Sequence, residues 1–455
     1  SWWGVWWLEW LSLAGAAILG YVVLSQAFGR GPAAFASLAW LTSLVFILDG
    51  GNFTEEYALP FQFAALYLFW KSRKSSRPLG YAFMIGVTLA AVFWLKLNMI
   101  GVQLSIAVVA VVSMILSPDR RKVLTWIMAL FAGVMAVTIP LLVYFAWNGA
   151  WNEFVDAAFR YNFIYTTSTL ENKVKSALAG LQFLAQSSIA FTAVTAGIIG
   201  GLALFSKPRQ TGAHTPLLQV ALVGLPVELL LASTSGRMYV HYYIIWLPIF
   251  AILTARLAFD FWNYFAPAEL TFLQRKIELK SIWSVALVIA MVLPALTEML
   301  NPVATLLKSN YPAPSPVVQR IQSYTTQDDY LLMWGAETSY NFLAKRRTPS
   351  RFVYQYPLYT CGYVTDAMIA EFLDDIARHK PLIIDTSSTK PPYVPPLNAQ
   401  DREKWDGQAF AGDAAESCGA SRRMADVFAF IDAHYRVAEV VQPEQWVIYR
   451  YVDNP

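Results

Sequence analysis

Apolar runs long enough, or nearly so, to cross about 30 Å of hydrocarbon recur through the first part of the chain. They lie near 3–28, 33–48, 57–70, 79–95, 99–117, 123–146, 181–205, 216–232, 242–260 and 281–300, and they predict about ten transmembrane helices. The runs at 33–48 and 57–70 are short, so one of them is expected to tilt, re-enter or extend into its flanks. The loops between runs alternate in charge. Arg30, then Lys71, Arg73, Lys74 and Arg77, then Arg120, Arg121 and Lys122, then Lys207 and Arg209, and finally Arg275, Lys276 and Lys280 fall in every second loop. By the positive-inside rule these loops are cytoplasmic and the intervening ones face outside.

From Asn301 the pattern changes. Pro302, Pro312, Pro314 and Pro316 mark a linker, and no later run is long or apolar enough to span. Tyr330–Trp334 and Pro381–Asp385 read as buried strands, each preceded by a helix (Val317–Thr326 and Asp366–His379). Tyr435–Val441 and Gln445–Val452 read as a closing hairpin. Lys390–Gly412, rich in Pro and polar residues, predicts a loop. The expected architecture is therefore a polytopic α-helical membrane domain over 1–300 and a small extracytoplasmic α/β domain over 301–455. Composition agrees: only 14% of the 455 residues are charged and 56% are hydrophobic, against about 25% charged in soluble proteins. The 17 Trp and 23 Tyr suit interfacial belts, and a net charge of +3 gives no reason to expect nucleic acid. The chain opens Ser-Trp-Trp without a signal-peptide pattern and is at once inside a full span, so an upstream segment is expected to precede it. Cys361 and Cys418 both fall in the outer domain. An oxidising compartment favours a bridge between them, two unpaired thiols being the alternative.

The densest chemistry lies in Asp49-Gly50-Gly51-Asn52-Phe53-Thr54-Glu55-Glu56-Tyr57, between two apolar runs. The glycines allow a sharp turn, and the acids then sit at the mouth of a helix hairpin, or in a solvated turn that happens to be acidic. Polar residues predicted on the same side are Glu9, Lys96 and Asn98, Arg160 and Tyr161, and Arg237, Tyr239, His241 and Tyr242. Carboxylates with Lys, Arg and His on one face can hold a phosphate with the cations and activate a hydroxyl with the acids. Each residue has a plainer reading. Lys96 can snorkel to the interface. Arg237 can pair with headgroups, and His241 can be a hydrogen-bonded boundary histidine. Glu9 and the tyrosines can sit in an aromatic belt. Residues 147–180 contain an amphipathic stretch, with Trp151, Phe154, Val155, Ala158 and Phe159 at helical spacing. It reads as a helix in the interface plane, either a groove wall or a strut.

Gly51-Asn52-Phe53-Thr54-Glu55-Glu56-Tyr57-Ala58-Leu59-Pro60-Phe61 resembles a stretch of bacterial membrane glycosyltransferases of the GT-C superfamily, related to protein O-mannosyltransferases (family 39-like). So does Gly236-Arg237-Met238-Tyr239-Val240-His241-Tyr242-Tyr243 with Leu247-Pro248. In the outer domain Asp329–Gly335 and Lys380–Asp385 resemble the same group. The resemblance implies inverting transfer of a sugar from a polyprenyl-phosphate donor to an acceptor outside the bacterial cytoplasmic membrane. The acceptor would be a glycan, a glycolipid or a protein. Lys96, Arg237 and His241 would bind the lipid phosphate. Asp49, Glu55 and Glu56 would be the catalytic acids, Glu55 and Glu56 orienting the acceptor or holding a divalent cation such as Mg or Mn, with Glu55 or Asp49 as the fallback base. Asn52, Asn98, Arg160 and Tyr239 would line the donor and acceptor groove. The family's usual base lies in a long outer loop after its first helix, and Ser1–Phe28 resembles the span that follows that loop. On the resemblance the base is thus expected upstream of residue 1. The competing expectation is a non-catalytic subunit of a membrane assembly on the same scaffold. A secondary transporter is a weaker third, since its charges would sit at mid-membrane.

Overall fold

The computed structural model describes residues 2–48, 50–116, 121–185, 215–265, 269–272, 275–278, 315–360, 362–388, 394–407, 423–442 and 444–453, with isolated positions between 189 and 198 and between 289 and 300. Asp49, Cys361 and Cys418 lie outside them. So do most of the runs expected at 181–205 and 281–300.

The chain forms two compact units, one of residues 1–151 with 168–308 and the other of 152–167 with 309–455. In the first, helices run α1 (Trp2–Phe28), α2 (Arg30–Ile47), α3 (Thr54–Ser72), α4 (Pro78–Leu95), α5 (Gly101–Ile115) and α6 (Arg121–Trp147). Among the described residues six helices are long and apolar enough to cross a membrane: Trp3–Phe28, Arg30–Ile47, Pro78–Leu95, Lys122–Trp147, Thr215–Ala232 and Val240–Asn263. Helix α3 has the length but carries Glu55, Glu56 and Lys71. Helix α5, at 15 residues, is shorter. What faces outward on α1 and α6 is apolar: Trp7, Leu11 and Ile18, and Leu124, Met128 and Phe131, are all exposed. A water-soluble fold would bury such stripes; a multi-pass membrane protein presents them to lipid.

Inside this unit α1 packs on α2 and α3, and α3 on α4. In the apolar 18-residue stretch of Val240–Asn263, 72% of the residues are buried, so it runs through the middle, whereas only 17% are in that of Lys122–Trp147, which lies at the edge. Trp40, Phe63, Phe69, Tyr243, Trp246 and Phe250 fill the core between them.

The second unit begins with a segment that the sequence expectation assigned to the membrane domain. Helix α7 (Trp151–Val155) continues through a π-helical turn at Asp156–Arg160 into α8 (Tyr161–Tyr165). Tyr161 and Ile164 pack against the core of the C-terminal unit. The Tyr363 hydroxyl donates to Asp156, and Arg160 reaches both Asp156 Oδ1 at 3.3 Å and the Tyr363 carbonyl at 3.4 Å. Burial first, and the Asp156 carboxylate second, push the Tyr363 phenol up, so it remains a donor. Amphipathicity shows that the segment has an apolar face but not what that face meets. Tyr363→Phe removes a hydrogen bond to a charged group worth about 1.5–3 kcal/mol. Amide exchange over residues 152–167 is expected to rise about ten- to a hundredfold, and unchanged exchange there would show that this bond does not hold the segment.

The remaining helices are α9 (Leu170–Ala185), α10 (Thr215–Ala232) and α11 (Leu247–Asp260) in the first unit, followed by a short antiparallel ribbon of β1 (Glu269–Phe272) and β2 (Arg275–Glu278). The C-terminal unit then runs α12 (Pro316–Tyr324), β3 (Leu331–Trp334), α13 (Ser339–Ala344), α14 (Asp366–His379), β4 (Leu382–Asp385), α15 (Ala399–Gly407), α16 (Ala425–His434), β5 (Tyr435–Val441) and β6 (Trp446–Tyr451). Its sheet has the order β3-β4-β6-β5, with β3 and β4 parallel and the other pairs antiparallel. Alternate strand residues face opposite layers. Leu332, Trp334 and Ile383 pack with Phe372 and Ile376 of α14 and Phe428 of α16. Leu331, Met333 and Ile384 pack with Val317 and Ile321 of α12. Burial on both faces is why β3 and β4 read as unbroken apolar runs. The loop expected over 390–412 is interrupted by α15. Asn398 Oδ1 accepts from the Gln400 and Asp401 amides at 3.0 and 3.2 Å, an N-cap that the polar composition concealed.

Candidate functional site

The acidic turn is built by backbone conformation. Gly50, Gly51 and Asn52 have φ of +93°, +81° and +66°, a left-handed sequence that turns the chain sharply into α3. A Cβ on Gly51 would lie 2.4 Å from Glu9 Oε1 and push that carboxylate aside, and the φ of +81° itself favours glycine. Glu9, from α1, accepts from the Asn52 amide at 3.2 Å, and Ser12 donates to the Glu56 carbonyl at 2.9 Å. Glu9 thus ties α1 to the turn. Glu56 is buried and its Oε1 accepts from the Phe53 amide at 2.9 Å, closing the first turn of α3. Tyr57 donates to Asn52 Oδ1 at 2.6 Å. Asn52 and Glu56 are therefore used in holding the turn.

Glu55 points elsewhere. Its Oε1 meets Lys96 Nζ at 2.6 Å, and its Oε2 accepts from Thr54 Oγ1 at 3.1 Å. Lys96 stands in extended conformation where α4 ends. Its ammonium also lies 3.9 Å from the centroid of Tyr242, a cation–π contact. The Glu55 side chain is 2% exposed and that of Lys96 29%, so solvent or a ligand reaches the pair from the lysine side. An ammonium has three donors, and an anionic oxygen can share it with Glu55.

His241 completes an aromatic stack. It lies face to face with Phe53 at 3.8 Å, near-parallel to Tyr239 at 5.7 Å, and edge-on to Tyr242 at 4.9 Å. The loop that carries these residues begins at Gly236, whose φ is +69°. Helix α9 pins it: Ser176 Oγ donates to the Arg237 carbonyl at 2.6 Å, and the Tyr243 hydroxyl donates to the Ser176 carbonyl at 2.7 Å. Arg237 is half-buried in this same loop. The Tyr242 ring thus joins the Glu55–Lys96 pair to His241, Tyr239 and Phe53 in one connected cluster. Asn98 holds the turn instead, donating to the Leu231 carbonyl at 3.4 Å. Arg160 makes its contacts within the second unit.

Two residues outside the sequence expectation help to fix the lysine turn. Gln62 donates to the Met99 carbonyl at 2.9 Å. The buried carboxyl of Glu228, in α10, packs against Gly101 at the start of α5, where an added Cβ would lie 2.3–2.5 Å from its atoms. A carboxylate inside an apolar run is itself a signal, and Glu228 carried it. Among the described residues no group of three or more His, Cys, Asp or Glu side chains is placed to hold a metal ion. Glu55 and Glu56 are turned to Lys96 and to the Phe53 amide instead. The chain matches no family model, and no curated protein is significantly similar to it.

Proposed function

We propose that the protein is a GT-C-type glycosyltransferase of the bacterial cytoplasmic membrane, moving a sugar from a polyprenyl-phosphate donor to an acceptor on the outer side with inversion. The observation that carries this reading is the Glu55–Lys96 pair, buried on the acid side and open on the cation side, beside His241 and its aromatic stack. Lys96, with Arg237 and His241 on the adjoining loop, would meet the charge growing on the leaving lipid phosphate, where such donors typically contribute about 10²–10³-fold in rate. Glu55 would orient the acceptor. The alternation of basic loops supports a cytoplasmic location for them and an outer one for the C-terminal unit. In this reading the full set of ten spans includes those expected at 181–205 and 281–300.

One observation favours the second reading, a non-catalytic subunit of a membrane assembly. Glu55 is already neutralised by Lys96, and Glu56 is spent on a helix turn, which is what a scaffold requires. Labelled sugar transfer from polyprenyl-phosphate donors in membranes separates the two. Arg237→Ala and His241→Ala are each expected to lower transfer about a hundredfold or more with accumulation unchanged. Transfer that survives both substitutions would remove these residues from the site. No transfer by the unaltered protein, across several donor sugars, would leave the assembly subunit as the better account.

A further inference from the structure

The C-terminal unit contains a half-open pocket of about 510 Å³, with Asp385, Asn398, Asp401, Lys404, Trp405 and Tyr449 among its walls. That volume falls within the usual range for small-molecule sites, about 300–1,000 Å³. The pocket lies over the antiparallel β4–β6–β5 part of the sheet, between Asp385 of β4, Val447 and Tyr449 of β6 and Val437 and Val440 of β5 on one side and Asp401, Lys404 and Trp405 of α15 on the other.

Local chemistry builds the walls. The two Asp385 oxygens accept from the Ser387 and Leu397 amides, each at 2.9 Å, which fixes those two backbone positions against the end of β4. Asn398 caps α15 and so sets the helix that brings Asp401, Lys404 and Trp405 to the rim. Lys404 Nζ meets Asp401 Oδ1 at 2.9 Å. Tyr449, on β6, forms the sheet side of the cavity, and Val437 and Val440 of β5 add exposed apolar surface.

The balance of these groups selects a ligand class. Two carboxylates against one ammonium leave the lining net negative, which disfavours phosphorylated or carboxylated ligands. The lone pairs of the Asp385 and Asp401 carboxylates left over from their protein partners accept from hydroxyls, while valine and aromatic side chains cover C–H surface. We propose that this cavity binds a neutral saccharide of one or two rings and serves as a subsite for the acceptor's sugar. The binding claim stands on the cavity, and only the acceptor role rests on the transferase reading.

The test is saturation-transfer NMR on the full chain, purified in a detergent without a sugar headgroup. The probes are methyl glucoside, methyl mannoside, maltose and cellobiose, with glucose 6-phosphate as the charged control. At least one neutral sugar is expected to receive saturation, the phosphate is expected to bind more weakly, and Tyr449→Phe and Asp401→Asn are each expected to weaken binding about tenfold, the effect of one lost hydrogen bond. Absence of binding by all four neutral sugars, equal binding of the phosphate, or binding unaltered in both variants would overturn the proposal. Equilibrium binding needs no donor lipid. Saccharide binding without any transfer activity would therefore uphold the cavity and count against the transferase reading, whereas transfer without binding would do the reverse.

Discussion

Replacing Gly86 or Gly133 with alanine is expected to destabilise the membrane unit by about 3 kcal/mol or more, at or beyond the upper end of ordinary overpacking. These glycines sit where α4 and α6 cross. A Cβ on Gly86 would lie 2.0 Å from the Leu130 carbonyl oxygen, and one on Gly133 would lie 1.9 Å from the Phe83 carbonyl oxygen. The obstruction is reciprocal, each glycine facing the backbone one helical turn before the other. A blocking side chain could rotate away, but a carbonyl inside a helix cannot move unless the whole helix moves. The two axes would have to separate, and with them the bond from Trp94 Nε1 to Thr138 Oγ1, 3.0 Å long, further along the same interface. In lipid the exchange is severe, because helix association there depends on close van der Waals fit between small residues. Gly80, in the first turn of α4, has nothing within 4 Å of an added Cβ. Gly80→Ala is the control, expected to be neutral or mildly stabilising through helix propensity. Thermal unfolding in detergent reads all three, and a Gly86→Ala protein that melts with the parent would show that the two helices do not cross this closely.

The second large effect concerns Lys96. Lys96→Ala leaves the carboxylate of Glu55, 2% exposed, without its counter-charge, and stranding one member of a buried pair costs about 3–5 kcal/mol. Glu55→Gln is expected to cost much less. It leaves a half-buried lysine that still has the Tyr242 ring and access to solvent. The asymmetry is the useful part. The double variant Lys96→Ala/Glu55→Gln is expected to be more stable than Lys96→Ala alone, since it removes the stranded charge. Unfolding of the three variants forms a double-mutant cycle. Equal losses from both single changes, adding in the double, would mean that the pair is solvated and contributes little. Stability and transfer are separable here: Arg237→Ala and His241→Ala leave Glu55 paired and test the chemistry without this cost.

Much of the architecture was legible because it follows from solvent. A stretch such as Pro78–Leu95 or Thr215–Ala232 is apolar over a bilayer's thickness, and little other than a buried or lipid-facing helix satisfies its backbone. The strands Leu331–Trp334 and Leu382–Asp385 were readable for a related reason: covered on both faces, they are apolar at every position until Asp385. Legibility failed where a cap or a partner decides. Helix α15 forms in a polar stretch because Asn398 caps it. Residues 152–167 belong to the C-terminal unit because Tyr363 and Asp156, some two hundred positions apart, find one another.

The candidate site divides in the same way. Sequence by itself determined that acids, a lysine and a histidine-bearing aromatic run lie at helix ends, because charge is expelled from apolar spans and glycines mark the turns. It also determined a multi-pass membrane protein followed by a small α/β unit. Only the tertiary structure decided which charge meets which: Glu55 takes Lys96, Glu56 takes its own helix turn, Glu9 takes the Asn52 amide, and Phe53 takes His241. Neighbouring carboxylates such as Glu55 and Glu56 are equivalent in composition and spacing. The direction each faces is set by helix phase, about 100° apart per residue, and by which distant element the fold brings to that side.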